Sequence, residues 1–374
     1  MPAPEQHPSL QNWWLALIAG APRTPADRLA YAGLRALTYP YRAVIAANLA
    51  LYESGLKPRT RPALPVISVG NLSLGGTGKS TTVAFLARRL EALGVLPGVV
   101  TRGYGRQDPD SLQLVTAGHG LLVGHELSGD EPAMLAALLP GVPVVAGKRR
   151  EPAVNLLRRQ TAAQVCLLDD GFQYFRMRKL LDLVLVDASR SRPGDRVFPA
   201  GPLREPWSHL RRAQQVWLTH ADRARPEDLD TLRRFLRRLR GVTDPVLTRH
   251  LFTRLRGPHS EQEAPHVLNG TRVLALSGLG NPDSFEDSLR AQGAEVIPCR
   301  FPDHHHYTVQ DLEKVGAELV EHSADLVVTT EKDAVKLPAR FSFEVWIAES
   351  ELDIMEGEEQ VTAALAAVRS AVKL

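Results

Sequence analysis

With 374 residues, 44% of them hydrophobic and 23% charged, the chain is long enough to bury two cores and ordinary for a soluble globular fold. Its 45 basic and 42 acidic residues leave a formal charge of +3, too small an excess to argue for a nucleic-acid partner. Cys166 and Cys299 offer neither a disulfide scaffold nor a cysteine zinc site and suit a reducing cytoplasm, and no apolar run reaches the roughly 18 residues of a spanning helix.

Met1–Ser9 is polar, contains three prolines and lacks the cationic start of a cleaved signal peptide. Thr24, Pro25 and Asp27 then make a helix start, with a cap hydroxyl, a first-turn proline and an early acid. The spacing of Leu29, Leu34, Leu37, Tyr41, Val44, Ile45 and Leu49 predicts one amphipathic helix to Tyr52, kinked at Pro40, with Arg28, Arg35 and Arg42 recurring along it. With Trp13, Trp14 and Leu15 ahead of it, residues 1–60 read either as an interfacial membrane anchor or as a helical region packed on its own domain.

From Pro65 the pattern changes to a buried strand at Val66–Val69, a glycine-rich turn and a helix from Lys79 to about Leu93. Apolar runs at Gly98–Thr101, Val142–Ala146, Val165–Leu168 and Leu183–Val186 follow at crossover spacing, which predicts an α/β fold with a doubly wound, mostly parallel sheet over residues 61–190. Ala188–Asp195, rich in Ser, Arg, Pro and Gly, reads as a hinge into a second, smaller α/β domain over 191–374. Its expected strands are Gln215–Thr219, Arg272–Ser277, Glu295–Cys299, Leu326–Thr329 and Glu344–Ile347. An arginine-rich helix at Pro226–Arg240, ending at Gly241, reads as a solvated face.

Gly75-Gly76-Thr77-Gly78-Lys79-Ser80, between strand and helix, is the strongest chemical signal. Backbone N–H groups freed of side chains wrap phosphates at a helix N-terminus, Lys79 neutralises phosphate oxygens, and Ser80, followed by Thr81, offers a hydroxyl to Mg²⁺. Ser73 replaces the first glycine of the usual pattern, so the start of the loop is expected to differ in shape. Cys166–Gly171 is an apolar strand ending in Asp169 and Asp170, one of which is expected to serve the metal.

Phosphoryl transfer to an alcohol needs alignment, charge neutralisation and a group that accepts the hydroxyl proton. Asp130, at a helix start, and His304, in the run Phe301-Pro302-Asp303-His304-His305-His306, are the candidates for that last role. Consecutive histidines point apart, unlike spaced metal ligands. Arg102, Arg150 and Arg204 add forked cations suited to phosphate.

Taken in order, Ser-Val-Gly-Asn from Ser68, Gly-Gly-Thr-Gly-Lys from Gly75, Arg-Gly-Tyr from Arg102, Gly-Asp-Glu-Pro from Gly129, Asp-Asp-Gly-Phe-Gln from Asp169, Pro199–Pro206, Ser277–Pro282, Phe301–His304 and Thr330–Lys336 resemble the tetraacyldisaccharide 4′-kinase family of lipid A biosynthesis. The resemblance implies ATP-dependent phosphorylation of an acylated glucosamine disaccharide at the cytoplasmic face of the inner membrane, with no obligatory protein partner. It implies that Asp130 and His304 pair to activate the hydroxyl, that Ser80, Asp169, Asp170 and Glu205 surround Mg²⁺, and that Arg102, Tyr104, Arg150, Gln173 and Arg204 meet substrate or phosphate. Tyr174 departs from the histidine that many members carry after Gln173. The rivals are a GTPase switch, for which Thr330-Glu331-Lys332-Asp333 has the wrong spacing, and a P-loop ATPase that loads a metal or cofactor into a protein partner.

Overall fold

The computed structural model describes residues 10–18, 24–103, 106, 108–239, 244–259, 261–280, 282–303, 305–338 and 341–373. Met1–Ser9, Tyr104, His304 and the helix end expected at Gly241 lie outside the described residues.

The strands are β1 (Val66–Asn71), β2 (Pro97–Thr101), β3 (Gln113–Thr116), β4 (Val144–Ala146), β5 (Val165–Asp169), β6 (Leu181–Asp187), β7 (Gln215–Thr219), β8 (Val246–Arg256), β9 (Gln262–Glu263), β10 (Arg272–Ser277), β11 (Glu295–Arg300), β12 (Leu326–Thr330) and β13 (Val345–Glu356). The helices are α1 (Leu10–Ile18), α2 (Pro25–Glu53), α3 (Lys79–Ala92), α4 (His125–Ser128), α5 (Asp130–Leu138), α6 (Arg150–Gln160), α7 (Pro226–Arg238), α8 (Pro282–Arg290), α9 (Val309–Glu321), α10 (Glu331–Ala334) and α11 (Glu358–Val372).

One sheet runs through the molecule in the order β11-β10-β12-β13-β8-β7-β6-β1-β5-β2-β4-β3, with β9 on the side of β8. β1, β2, β4, β5 and β7 are buried at every position, as strands covered by helices on both faces must be. β1 pairs in parallel with β5 on one side and β6 on the other. Its C-terminal end is therefore a switch point, where a crevice opens for ligand.

The strand Gln215–Thr219, expected in the second lobe, pairs instead in parallel with β6, Leu183 opposite Gln215 through Asp187 opposite Thr219. The reason is physical: an all-buried strand needs partners and cover, and β6 offers it an otherwise open edge. The halves of the sheet meet at the long antiparallel ribbon of β8 and β13. β8 escaped notice in the sequence because its arginines interrupt the apolar pattern. Across the ribbon they meet acids: Arg256 with Glu349 at 2.6 Å, Arg254 with Glu351 at 3.1 Å and Arg249 with Asp353 at 2.8 Å.

Helix α2 starts as the sequence demands. Thr24 accepts from the Asp27 N–H at 3.1 Å and Asp27 accepts from the Thr24 N–H at 3.0 Å, closing a capping box. Its inner side docks on the segment 197–204: Tyr31, Thr38 and Tyr41 donate to the carbonyls of Ala200, Val197 and Arg204, and from α1 the Trp14 indole donates to Pro199 at 2.9 Å. Leu29, Leu37 and Val44 remain 77%, 59% and 69% exposed on the other side. Among the described residues no helix is long and apolar enough to cross a membrane. At the far end of the chain, Val361, Leu365 and Val368 of α11 share a core with Ile67, Val83 and Leu167.

Candidate active site

The loop Gly75–Gly78 leaves the buried strand β1 and enters α3 at Lys79, the strand-to-helix setting the motif requires. Gly75 and Gly78 have φ of 101° and 77°, values open to glycine and strained for other residues, so glycine at these two positions is a backbone necessity. Thr77 is buried, and Ser80 and Thr81 are half-buried in the first turn of α3. The unusual start of the loop is held from outside: Ser73 bridges Leu203, the Leu74 N–H donates to Pro202 at 2.7 Å, and the Arg204 N–H donates to Leu72 at 2.7 Å. Inside it, Gln173 donates to the Asn71 carbonyl at 3.0 Å and Asn71 to the Gly75 carbonyl at 3.4 Å.

Asp170 follows β5 in a left-handed conformation, φ 50°. This turn sets its carboxylate 3.7 Å from Lys79 Nζ and 2.9 Å from Arg204 Nη1. Burial pushes its pKa up, but Lys79, Arg204 and Arg150 outweigh burial and hold it below the usual carboxylate range. Asp169, fully buried, has the opposite fate. Burial first, then Glu131, with Asp170 adding to it, raises its carboxyl well above the usual range against the opposing pull of Lys79. The Thr101 hydroxyl donates to Asp169 Oδ2 at 3.1 Å, while Asp169 Oδ1 is shut from solvent with no hydrogen-bond partner among the described residues.

The orphaned Oδ1, the excess of negative charge and the neighbouring phosphate loop suit a hard divalent cation. Among the described residues no three acidic, histidine or cysteine side chains converge as a ready cation cage. Glu205 is buried and engaged through Oε2 with His209 and Arg212, each at 2.7 Å, which leaves Oε1 without a partner among the described residues.

Asp130 is buried in the first turn of α5, after Gly129 with φ 88°. Its neighbour Glu131 accepts from Thr101, so the start of α5 abuts the Asp169 end of β5. α10 of the second half of the sheet packs against α5. In that half Lys332 of α10 pairs with Asp303 at 2.8 Å, and Asp333 accepts from the Gly278 N–H at 3.0 Å while pairing with Lys336 at 2.7 Å, both side chains fully buried. The Thr330–Lys336 motif thus braces the turn before residue 304.

Arg150 opens α6 and donates to the carbonyls of Gly147 and Lys148 at 3.2 and 2.9 Å. Burial, then the like charge of Arg102, lowers its pKa, with Asp170 and Asp169 opposing. Arg102 is exposed beside it. Sequence reasoning missed four participants: Thr101 and Glu131 beside Asp169; Arg106, which clasps the Gly103 carbonyl at 3.1 Å; and Tyr174, whose ring lies under Arg150. Tyr174 donates to Glu151 and accepts from the Arg150 N–H at 3.3 Å, so the residue that departs from the motif anchors the helix carrying Arg150.

Residues 30–369 match the family described as tetraacyldisaccharide-1-P 4′-kinase. The chain belongs to this family. It is thereby a kinase of lipid A biosynthesis. The tetraacyldisaccharide 4′-kinases of Anaeromyxobacter dehalogenans strain 2CP-C and Halothermothrix orenii are 40% and 34% identical to it, over 95% and 87% of this chain and 93% and 88% of theirs. A crystal structure of LpxK from Aquifex aeolicus in complex with ATP is similar to it with a TM-score of 0.74 at 29% identity, covering 91% of this chain and 99% of that one. In this member of the tetraacyldisaccharide 4′-kinase family, Lys79 and Arg204 converge on Asp170 beside the Gly75–Gly78 loop.

Proposed function

We propose that the chain moves the γ-phosphate of ATP onto the 4′-hydroxyl of a tetraacyldisaccharide 1-phosphate, giving lipid IVA and ADP. The observation that carries this reading is the Lys79–Asp170–Arg204 cluster against the Gly75–Gly78 loop, in a chain matched along most of its length by this kinase family.

In this reading Gly75, Gly76, Thr77, Gly78, Ser80 and Thr81 cradle the phosphates through backbone N–H groups and first-turn hydroxyls, and Lys79 neutralises them. Ser80, Asp169, Asp170 and Glu205 are the side chains that would hold Mg²⁺, which when bound supplies charge neutralisation of the transferring group. Asp169, raised by burial, gains most from that cation. Arg102, Arg150 and Arg204 face phosphate charge, and Gln173 keeps the loop start in register. Asp130, paired with His304, takes the 4′-hydroxyl proton as the acceptor oxygen bonds to phosphorus and the bond from phosphorus to the ADP oxygen breaks. The packing of α10 on α5, with Lys332 of α10 paired to Asp303, supports that pairing. Residues 61–190 act as the nucleotide lobe and 191–374 chiefly as the acceptor lobe.

The acceptor is a lipid, so the enzyme works at a membrane surface, which we place at the cytoplasmic face of the inner membrane. The exposed Leu29, Leu37 and Val44, with Arg28, Arg35 and Arg42 on the same helix, form the docking side.

The test is incubation of the purified chain with γ-labelled ATP, Mg²⁺ and tetraacyldisaccharide 1-phosphate in detergent micelles. Label is expected in the lipid and absent from it with Lys79→Ala. Label recovered only as free phosphate would overturn the kinase reading in favour of an ATPase.

A further inference from the structure

An imidazole stands against the phosphate loop on a strand that no motif marks. His250 lies on β8, with Nε2 2.6 Å from the point that a Cβ on Gly78 would occupy. That nitrogen is shut from solvent and has no hydrogen-bond partner among the described residues. The ring packs edge-on against His220, centroids 4.6 Å apart. His220 directly follows β7 in a left-handed conformation, φ 52°, and its Nδ1 lies 3.4 Å from Asp187 at the end of β6. Asp187, His220 and the Gly78 loop all stand at the C-terminal edge of the parallel strands, the edge where α/β sheets bind ligand.

Burial, then the charges of His220 and Arg223, hold the His250 pKa down at about 3, so the ring is neutral and offers one donor and one acceptor. A packed core histidine would have both nitrogens satisfied, because an unpaired buried nitrogen costs stability. An orphan pressed against the loop is better explained by a ligand that completes it.

We propose that His250 is a nucleotide-positioning residue: when the loop is occupied, its Nε2–H donates to the phosphate chain beside Gly78, and Asp187 acting through His220 fixes the ring. The inference rests on the phosphate-loop reading above. It also ties that loop to the β8–β13 ribbon joining the two halves of the sheet.

Steady-state kinetics of the full chain, with ATP and the lipid acceptor varied separately, tests it. His250→Ala and His250→Phe are expected to raise KM for ATP by about tenfold or more while leaving KM for the lipid unchanged. His250→Gln, whose amide nitrogen reaches the place of Nε2, is expected to recover most of that loss. A wild-type ATP KM in His250→Phe, which keeps the ring and loses the nitrogen, overturns the proposal, as does a His250→Gln no better than His250→Phe. Lys79→Ala separates the two readings. Normal turnover in that variant removes the phosphate-loop assignment itself, whereas a crippled Lys79→Ala beside a normal His250→Phe removes only the role of His250.

Discussion

Arg204 donates from a single guanidinium nitrogen to both carboxylate oxygens of Asp170, at 2.9 and 3.1 Å. The same arginine gives its backbone N–H to Leu72 at the start of the phosphate loop. Side chain and main chain thus tie the Pro199–Pro206 motif to both the loop and the acid after β5. Lys79 first, and then the arginine, hold the acid ionised against its burial.

Arg204→Gln should therefore keep the fold and lose the charge. We expect kcat/KM to fall by roughly a hundredfold, the scale of a lost electrostatic contact to a transferring phosphoryl group, with the unfolding midpoint little changed. Retention of activity within about twofold would remove Arg204 from the phosphate site.

Lys79 and Asp130 should separate binding from chemistry. Lys79→Ala abolishes turnover because phosphate charge is left unneutralised, while Asp130→Asn keeps nucleotide affinity and lowers the chemical step. Single-turnover transfer together with ATP binding by calorimetry checks the pair. An Asp130→Asn enzyme with a normal transfer rate would refute the proton-accepting role.

Glu331 carries a pH signature. Burial first, then the neighbouring Glu349, push its carboxyl up to about 7. The folded protein therefore holds a proton that the unfolded chain releases near the ordinary glutamate value, and stability falls as pH rises from about 4.5 to about 7, then levels off. Glu331→Gln should be more stable than the parent by about 1–3 kcal/mol at pH 8 and no more stable below about pH 4. Denaturant unfolding at both pH values decides it, and a difference that does not change with pH counts against the assignment.

Tyr174→Phe removes a hydroxyl that donates to Glu151 and accepts from the Arg150 N–H. A stability loss of about 1–2 kcal/mol is expected, because Glu151 Oε2 and a helix-start N–H each lose a partner, while Thr60 and Arg176 stay on Oε1. An unchanged unfolding midpoint would show that the hydroxyl is idle.

Helix α2 packs one side on the segment 197–204 and leaves Leu29, Leu37 and Val44 exposed on the other. Replacing Leu29, Leu37 and Val44 with serine should release the chain from anionic vesicles without unfolding it, since all three are exposed. Vesicle co-sedimentation reads this directly. Unaltered binding would assign α2 to packing alone.

Much of this was legible before the fold. The capping box at Thr24, the buried strand before Gly75, the helix from Lys79 and the paired acids at the end of β5 are each set by neighbours close in sequence. β8 was not legible, because its arginines balance acids on β13 about a hundred residues away, and no local period shows that. The place of β7 was hidden too, since a strand buried at every position does not say which edge it will join.

The sequence by itself therefore determined the glycine-rich turn between β1 and α3, the pair of acids at the end of β5 and the family to which the chain belongs, because glycine, lysine and aspartate at those spacings follow from short-range backbone and charge requirements. Only the tertiary structure decided that Arg204 clamps Asp170, that Tyr174 anchors Arg150 and that His250 stands against Gly78. These are contacts across strand order and between remote loops. They arise from how the sheet is assembled and its cores are filled, which long-range packing sets and local pattern does not.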